Sequence, residues 1–217
     1  PFISGKDSMY NDFNGFNKKN KKIKISIPPT LLISSIGVVN SIKNFTSISP
    51  QVNELIYILG DTHEELGGSE YGHLYGYENN NVPNVDSKKA MKLYQSFFKA
   101  NKAGFILSAI SVHIGGLGTA LAKMSIASDL GMKLNLSFAK KISTTNLLFS
   151  ESQSRIVVSI KTSMKKEFEK VFKNQSCTMI GKTKLEKYLS INIFNEDLIN
   201  IPITDLSKAY KKNIENL

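Results

Sequence analysis

The sequence has one cysteine, no tryptophan and no long apolar run. A single cysteine, Cys177, excludes an internal disulfide and is typical of a protein in a reducing cytoplasm. No window approaches the roughly 18 consecutive apolar residues of a membrane-spanning helix, and the N-terminus lacks a signal-peptide pattern. We therefore expect a soluble protein of the cytoplasm with no membrane partner.

Metal-binding spacing is also missing. The three histidines, His63, His73 and His113, show neither HxxxH nor HExxH spacing. Such spacing places two imidazoles on one helix face, where they can hold zinc. The sequence therefore gives no reason to expect a zinc site.

Arginine is almost absent although the chain is basic. The formal net charge is +10, and Arg155 is the only arginine among the basic residues. Recognition of bases and phosphates in nucleic acids favours arginine, whereas these lysines are scattered through turns and helix faces. We expect no nucleic-acid partner, and a local site for a phosphorylated small molecule fits the sequence better.

The residues that are present predict an α+β fold. At 217 residues and 41% hydrophobic composition, the chain can form one large domain, or one domain plus a fragment. It starts at Pro1 without a methionine, which indicates a piece of a longer protein. Strands alternate with three or four helices, and adjacent strands follow near the end. This order predicts a mixed sheet with helices packed on it.

Several elements can be placed from their apolar patterns. A strand covered on both faces is expected at residues 31–39, and short buried strands are expected at 55–59 and 105–112, because these runs are almost continuously apolar. Residues 11–22 have no period and predict a loop. A helix after Asp86 should bury Ala90, Tyr94, Phe97 and Phe98, and a second should bury Leu117, Leu121 and Met124 and end at Gly131.

A polar, glycine-rich loop follows the strand at 55–59. Its central residues are Gly67, Gly68, Ser69 and Glu70. Glycines can adopt positive φ and point backbone N–H groups at an anion, while the serine and glutamate add a hydroxyl and a carboxylate. The loop is therefore either a ligand-binding loop or a tight turn that ends in a helix cap.

Three further polar stretches carry candidate binding residues. Gly5, Lys6, Asp7 and Ser8 follow an apolar start, as in a phosphate-binding loop or a solvated turn. A strand leads to Gly115 and Gly116 at a helix N-terminus, where unpaired N–H groups favour an anion. The third stretch contains Ser150, Glu151 and Arg155 at a strand entrance, and it predicts a polar network that is either structural or ligand-facing.

Taken together, these stretches resemble the C-terminal part of the phosphoribosylformylglycinamidine synthase family, the ATP-dependent amidotransferases that act on formylglycinamide ribonucleotide. The resemblance is carried, in the family's order, by Ser4-Gly5-Lys6-Asp7-Ser8-Met9, by residues 59–71, by Gly115-Gly116-Leu117 and by Phe149-Ser150-Glu151-Ser152 with Arg155. It covers the chain from its start to near its end. The combination is specific, although each motif alone is not.

The resemblance implies a fold, a reaction and partners. It implies that residues 1–44 end an ATP-binding half and that residues 45–217 form an aminoimidazole ribonucleotide synthetase-like C-terminal domain. The implied reaction is phosphorylation of the substrate's formamide oxygen by ATP, followed by attack of ammonia from a glutaminase subunit or domain. The missing N-terminal domains would carry most of the chemistry, so the chain alone is expected to be inactive. The candidate residues above would contribute nucleotide or phosphate contacts.

One departure from the family pattern concerns the metal. Relatives usually carry His-Asp-x-Ser-Asp/Glu-Gly-Gly-Leu, but here Ile110, Ser111, His113 and Ile114 replace the residues before the two glycines. Two carboxylates that could hold Mg²⁺ are thereby lost. ATP and Mg²⁺ are therefore expected in the full-length enzyme, without being firmly held by this chain.

Two other functions and one association remain open at this stage. The lost carboxylates are compatible with a scaffold or assembly domain that binds no nucleotide. A relative acting on another phosphorylated small molecule, such as a selenophosphate synthetase or thiamine-phosphate kinase, is the second alternative. In addition, the exposed strand edges of a partial ATP-binding half predict self-association.

Overall fold

The computed structural model describes residues 3–5, 12–26, 31–39, 41–42, 45–77, 80–194 and 196–212. The chain divides into two compact units, Pro1–Asn40 and Ser41–Leu217. The domain boundary that the resemblance implies, between residues 44 and 45, stays a prediction.

Unit 1 contains a two-stranded antiparallel hairpin. Strand β1, Phe13–Phe16, pairs with β2, Lys22–Ile25. The expected loop over residues 11–22 is therefore wrong at β1. The strand expected at 31–39 is also wrong, because these residues form no strand, and Ile33, Ile36 and Val38 are exposed. A strand covered on both faces needs a sheet to enter, and the described part of unit 1 offers this hairpin alone.

Unit 2 is an α+β domain. Its strands are β3 (Leu55–Leu59), β4 (Ile106–Val112), β5 (Gly131–Asn135), β6 (Arg155–Ile160), β7 (Cys177–Lys184), β8 (Tyr188–Ile193) and β9 (Glu196–Pro202). Its helices are α1 (Glu70–Tyr75), α2 (Ser87–Lys102), α3 (Gly116–Ser128), α4 (Thr144–Phe149), α5 (Lys165–Val171) and α6 (Ile203–Lys212), with a 3-10 turn at Thr162–Met164.

The strands of unit 2 form one seven-stranded mixed sheet. Its order is β4-β6-β3-β7-β5-β8-β9. The β5–β8 pair is parallel, while the other five neighbouring pairs are antiparallel. The predicted mixed sheet with packed helices is confirmed.

The central strand β3 separates two hydrophobic cores. Ile56 and Ile58 belong to the core that includes α3, whereas Tyr57 and Leu59 belong to the core that includes α2 and α5. Side chains alternate between the two faces of a strand, so a strand covered by helices on both sides must be apolar at every position. This geometry explains the continuous apolar run of β3.

The helix expected after Asp86 is confirmed, but its buried face differs from the prediction. The Asp86 side chain caps α2 by accepting bonds from the N–H groups of Lys88 and Lys89. The side chains of Tyr94 and Phe98 are exposed, whereas Leu93 faces the core with the small residues Ala90 and Ala100. Both helix faces carry apolar residues at helical spacing, so periodicity could not select between them.

The second predicted helix is confirmed as α3. Leu117, Leu121 and Met124 are fully buried, as its period predicted. Its end was placed wrongly: Asp129 forms the left-handed C-cap, and Gly131 begins β5. Aspartate is among the few residues with a side chain that tolerate this conformation.

Candidate functional site

The glycine-rich loop leaves the end of β3 and leads into the short helix α1. Ser69 is the N-cap of α1: its hydroxyl donates to the Leu66 carbonyl at 2.7 Å and accepts from the Gly72 N–H at 3.1 Å. The buried Gly67 donates its N–H to the Asn81 carbonyl at 3.0 Å. The Gly67 N–H and the Ser69 hydroxyl therefore already have hydrogen-bond partners within the protein.

Two other residues of this loop face outward. Gly68 is exposed, has φ of 68°, and has open space where a side chain would begin. Among the described residues, no acceptor receives its N–H. Glu70 is also exposed and opens α1. Gly68 and Glu70 are therefore the members of the predicted loop that can meet a ligand.

Two buried serines fasten the loop to the segment that precedes β6. The Ser150 hydroxyl donates to the His63 carbonyl at 2.6 Å and accepts from the Glu65 N–H at 3.2 Å. The Ser152 hydroxyl accepts from the His63 N–H at 3.0 Å. Because both serine side chains are fully buried, these bonds are shielded from water and hold residues 62–65 in place.

Arg155 completes this network from inside the protein, where it is only 1% exposed. Its Nε and Nη2 donate to the carbonyls of Ser152 and Ser150 at 2.9 and 2.5 Å, and its Nη1 donates to Thr62 Oγ1 at 3.0 Å. Burial lowers the pKa of Arg155 to about 10, and the negative charges of Glu65 and Glu151 act in the opposite direction. The guanidinium therefore stays charged at neutral pH. Its three hydrogen bonds tie Thr62 to the backbone of Ser150 and Ser152.

Glu151 joins the loop to the N-terminus of α3. Its Oε1 accepts two backbone hydrogen bonds of 2.9 Å, one from the N–H of Glu70 and one from that of Gly115. A helix N-terminus favours an anion, and here an internal carboxylate supplies it. The Gly115 N–H, at a helix start where the sequence suggested an anion, therefore has a partner within the chain, and so does the N–H of Glu70.

Gly116 allows α3 to approach α4 closely. Its φ is 70°, and a Cβ added there would lie 2.6 Å from the Leu148 carbonyl oxygen and 2.7 Å from Phe149 Cα. Real Cβ atoms do not come this close to backbone, so glycine is needed at this position. The pair Gly115-Gly116 is explained by this approach and by the left-handed N-cap at Gly115.

The positions where the family usually has carboxylates lie just before α3. Ser111, His113 and Ile114 are exposed there. Within the described ranges, no group of three or more His, Cys, Asp or Glu side chains could hold a metal ion. This edge therefore lacks the oxygen ligands that Mg²⁺ requires.

A cavity of about 580 Å³ is lined in part by residues of the segment 60–65, which leads from β3 into the same loop. It is lined by Gly60, Asp61, His63, Glu65, Asn84, Val85, Asp86, Lys89, Ala90, Lys92, Leu93, Gln153, Ser154, Asn174, Gln175 and Ser176. No predicted site residue that the structure describes lines it. Sequence reasoning missed this cavity because its walls come from four separate segments.

The site prediction also missed Glu65, a buried residue that lines this cavity. It is 7% exposed, its Oε1 accepts from the Asn84 N–H at 3.2 Å, and its Oε2 has no hydrogen-bond partner within the described part of the chain. The negative charge of Glu65 favours the charged form of Arg155 and so acts to raise the pKa of Arg155. Glu65 could have been singled out from the sequence because it lies within residues 59–71, the polar stretch that follows the strand at 55–59.

The remaining predicted residues lie in unit 1. Lys6, Asp7 and Ser8 are outside the described residues, and Gly5 is exposed with open space around its Cα. Their role stays a prediction.

No helix in the described ranges is both long and apolar enough to span a bilayer.

The fold and the sequence together define the class of protein. Residues 51–193, well over half of the chain, match the family model described as "AIR synthase related protein, C-terminal domain". The chain belongs to this family. The mixed sheet, the packed helices and the loop after β3 all lie in unit 2, which contains the matched residues.

Individual relatives and solved structures are similar to this chain over most of its length. The chain is 30% identical to "Phosphoribosylformylglycinamidine synthase subunit PurL" of Methanocaldococcus jannaschii, over 97% of this chain and 28% of that protein. Its fold matches "T. maritima PurL complexed with FGAR" with a TM-score of 0.65 at 16% identity, over 75% of this chain and 29% of that one. For "T. maritima PurL complexed with ATP" the TM-score is 0.61 at 16% identity, over 75% and 27%. The chain is thus a PurL-like C-terminal part that spans less than a third of these relatives.

Proposed function

We propose that the chain is the C-terminal region of an ATP-dependent ligase of purine biosynthesis, which converts formylglycinamide ribonucleotide to formylglycinamidine ribonucleotide. The supporting observation is the exposed Gly68, which has positive φ and whose N–H has no acceptor among the described residues, in a loop that buried side chains hold. The relatives named above add support, because one is a phosphoribosylformylglycinamidine synthase subunit and the structures are of PurL complexed with FGAR and with ATP. In this proposal the chain contributes phosphate contacts and the longer protein contributes the reaction.

The residues divide by role under this proposal. Gly68 and Glu70 contact the ligand, and Gly5, Lys6, Asp7 and Ser8 supply phosphate contacts in the longer protein. Gly67, Ser69, Gly115, Gly116, Ser150, Glu151 and Arg155 hold the loop in shape. The N–H of Gly68 fits a phosphate oxygen, since backbone N–H groups in a left-handed turn form anion-binding concavities.

The metal and nucleotide belong elsewhere in the longer protein. ATP supplies the phosphoryl group that activates the formamide, and Mg²⁺ neutralises the charge of its phosphates. The described residues do not fit a Mg²⁺ site, because Ser111 and Ile114 stand where relatives usually have carboxylates. We therefore place neither group on this chain, and we expect it to be inactive alone.

The partners follow from the same proposal. The chain works with the missing N-terminal domains and with a glutaminase subunit or domain that releases ammonia from glutamine, in the cytoplasm.

We also propose that the chain self-associates when it is produced alone, because the apolar residues 31–39 of unit 1 are exposed. Sedimentation velocity should show species larger than a monomer, and a single monomeric boundary at all concentrations would contradict this.

The test of the catalytic proposal uses the whole protein. With ATP, ammonium chloride and formylglycinamide ribonucleotide, it should release phosphate only when all three are present. Glu70→Ala should raise KM for the ribonucleotide, whereas Glu64→Ala, in the same loop and also exposed, should leave KM unchanged. Absence of substrate-dependent phosphate release from the whole protein would overturn the proposal.

A scaffold function is the second candidate, and one observation favours it. The N-terminus of α3, which could bind an anion, already has Glu151 as its acceptor. A scaffold would bind partner subunits and no nucleotide. Calorimetry of the whole protein with ADP and Mg²⁺ separates the two candidates, since the ligase should bind ADP and the scaffold should give no heat of binding.

A further inference from the structure

Glu151 holds together two segments that are far apart in the sequence. One oxygen of its carboxylate accepts the N–H of Glu70, which opens α1, and the N–H of Gly115, which precedes α3. Both distances are 2.9 Å, within the range of charge-assisted hydrogen bonds. The carboxylate therefore fixes the end of the glycine-rich loop against the start of α3.

No helix-capping side chain other than that of Glu151 accepts a hydrogen bond from either N–H group in the described part of the chain. At α1, the Ser69 hydroxyl accepts from the Gly72 N–H and does not reach that of Glu70. At α3, the N-cap Gly115 has no side chain with which to cap. Unpaired N–H groups at helix starts need an acceptor, and a negative charge there also interacts favourably with the helix dipole.

The carboxylate is itself held from both sides along the chain. Ser150 and Ser152 flank it and are fully buried, and both are bonded to the backbone of His63. The N–H of Glu151 also donates to the Glu65 carbonyl at 3.3 Å. The Glu151 side chain thus extends from an anchored backbone. Its carboxylate therefore holds the start of α1 at a defined distance from the start of α3.

We propose that Glu151 is a positioning residue: it acts as the built-in anion of these two N–H groups and thereby holds the loop so that Gly68 presents its N–H to the ligand phosphate. This role in ligand binding rests on the proposed function. It implies that a ligand anion is directed to Gly68 and is kept away from the start of α3, where the site is already filled.

The first test is amide hydrogen exchange of the 217-residue chain, followed by NMR. The N–H groups of Glu70 and Gly115 should be protected although they belong to helix starts. In Glu151→Gln, which keeps the shape and removes the charge, exchange of these two amides should speed up together by roughly tenfold or more. Glu64→Gln removes the same charge from an exposed carboxylate of the loop and should change neither. Unchanged exchange in Glu151→Gln would overturn the proposal.

The second test is rescue of Glu151→Gly by formate. Formate at millimolar concentration should shift and saturate the amide signals of Glu70 and Gly115, and sodium chloride at equal ionic strength should not. Should this variant be unfolded, formate should restore its folded spectrum while chloride does not. An absence of any formate-specific effect would show that the position does not require a carboxylate.

The whole protein separates this inference from the proposed function. Glu151→Gln should raise KM for the phosphorylated substrate more than it lowers kcat. If the whole protein has no ligase activity, the proposed function fails, while the exchange and formate results still decide the anion role. If activity is present and Glu151→Gln leaves KM unchanged, the positioning role is wrong.

Discussion

The hydroxyl of Tyr57 donates a 2.8 Å hydrogen bond to Oε1 of Glu169. This bond crosses from the buried centre of β3 to the half-exposed surface of α5. The Tyr57 ring also packs edge-to-face on Phe168, with ring centroids 5.0 Å apart. Burial and then the neighbouring Glu169 raise the pKa of the Tyr57 phenol well above its ordinary value, so the hydroxyl stays a donor.

Removing this hydroxyl should cost stability without disturbing the core. Tyr57→Phe keeps the ring contacts and loses one hydrogen bond to a carboxylate, so we expect a loss of about 1 kcal/mol in the free energy of unfolding. Urea denaturation measures it, and a double-mutant cycle with Glu169→Gln isolates the pair. A coupling energy indistinguishable from zero would mean that the bond is absent in solution.

The close approach at Gly116 gives a second prediction with an internal control. Gly116→Ala should destabilise the chain by about 2–4 kcal/mol, because alanine is strained at positive φ and its methyl would strike the backbone of residues 148–149. Gly118→Ala, two residues along the same helix, meets no atom closer than 3.6 Å and should stabilise by about 0.5–1 kcal/mol. Chemical denaturation of both variants checks this, and equal effects would contradict the structure.

Periodicity predicted the elements of unit 2 where one face alone was apolar. The buried face of α3 was correct for this reason, and β3 was predicted as a short buried strand from its continuous apolar run. In α2, however, two apolar faces competed, and the aromatic one containing Phe98 is exposed. The decision between the faces depended on helix–sheet packing, which a period does not encode.

The site was predictable in its residue types and less so in their partners. Composition and strand position pointed to the glycines, to Glu151 and to Arg155. That Glu151 accepts the N–H groups of Glu70 and Gly115 could not be foreseen, because these contacts join residues that are distant in sequence. The same reason hid the cavity beside Glu65, whose walls meet only in the folded chain.

Cys177 should be unreactive in the folded protein. Burial, with a contribution from the charge of Glu169, raises the pKa of its thiol to about 12. Since the thiolate is the reactive species, labelling by Ellman's reagent at pH 8 should be roughly 100-fold or more slower than in urea-unfolded chain.

The same shift sets a pH dependence of stability. The unfolded thiol ionises near pH 9.0 and the folded thiol near 12, so the unfolded state binds fewer protons between these values. The contribution of Cys177 is present below pH 9 and should be lost as pH rises towards 12. Cys177→Ser should reduce this loss, and an unchanged pH profile together with rapid native labelling would refute the prediction.

Arg155 should be the most sensitive charged position that the structure describes. Arg155→Met keeps much of the volume but removes three buried hydrogen-bond donations and a positive charge that Glu65 and Glu151 favour. Removing one partner of a buried charged group costs about 3–5 kcal/mol. Lys166→Met, an equal charge change on the exposed face of α5, should stay within about 0.5 kcal/mol. Urea denaturation of both variants makes the comparison. A small effect of Arg155→Met would mean that the carbonyls of Ser150 and Ser152 find other donors, and that the loop is held by its serines alone.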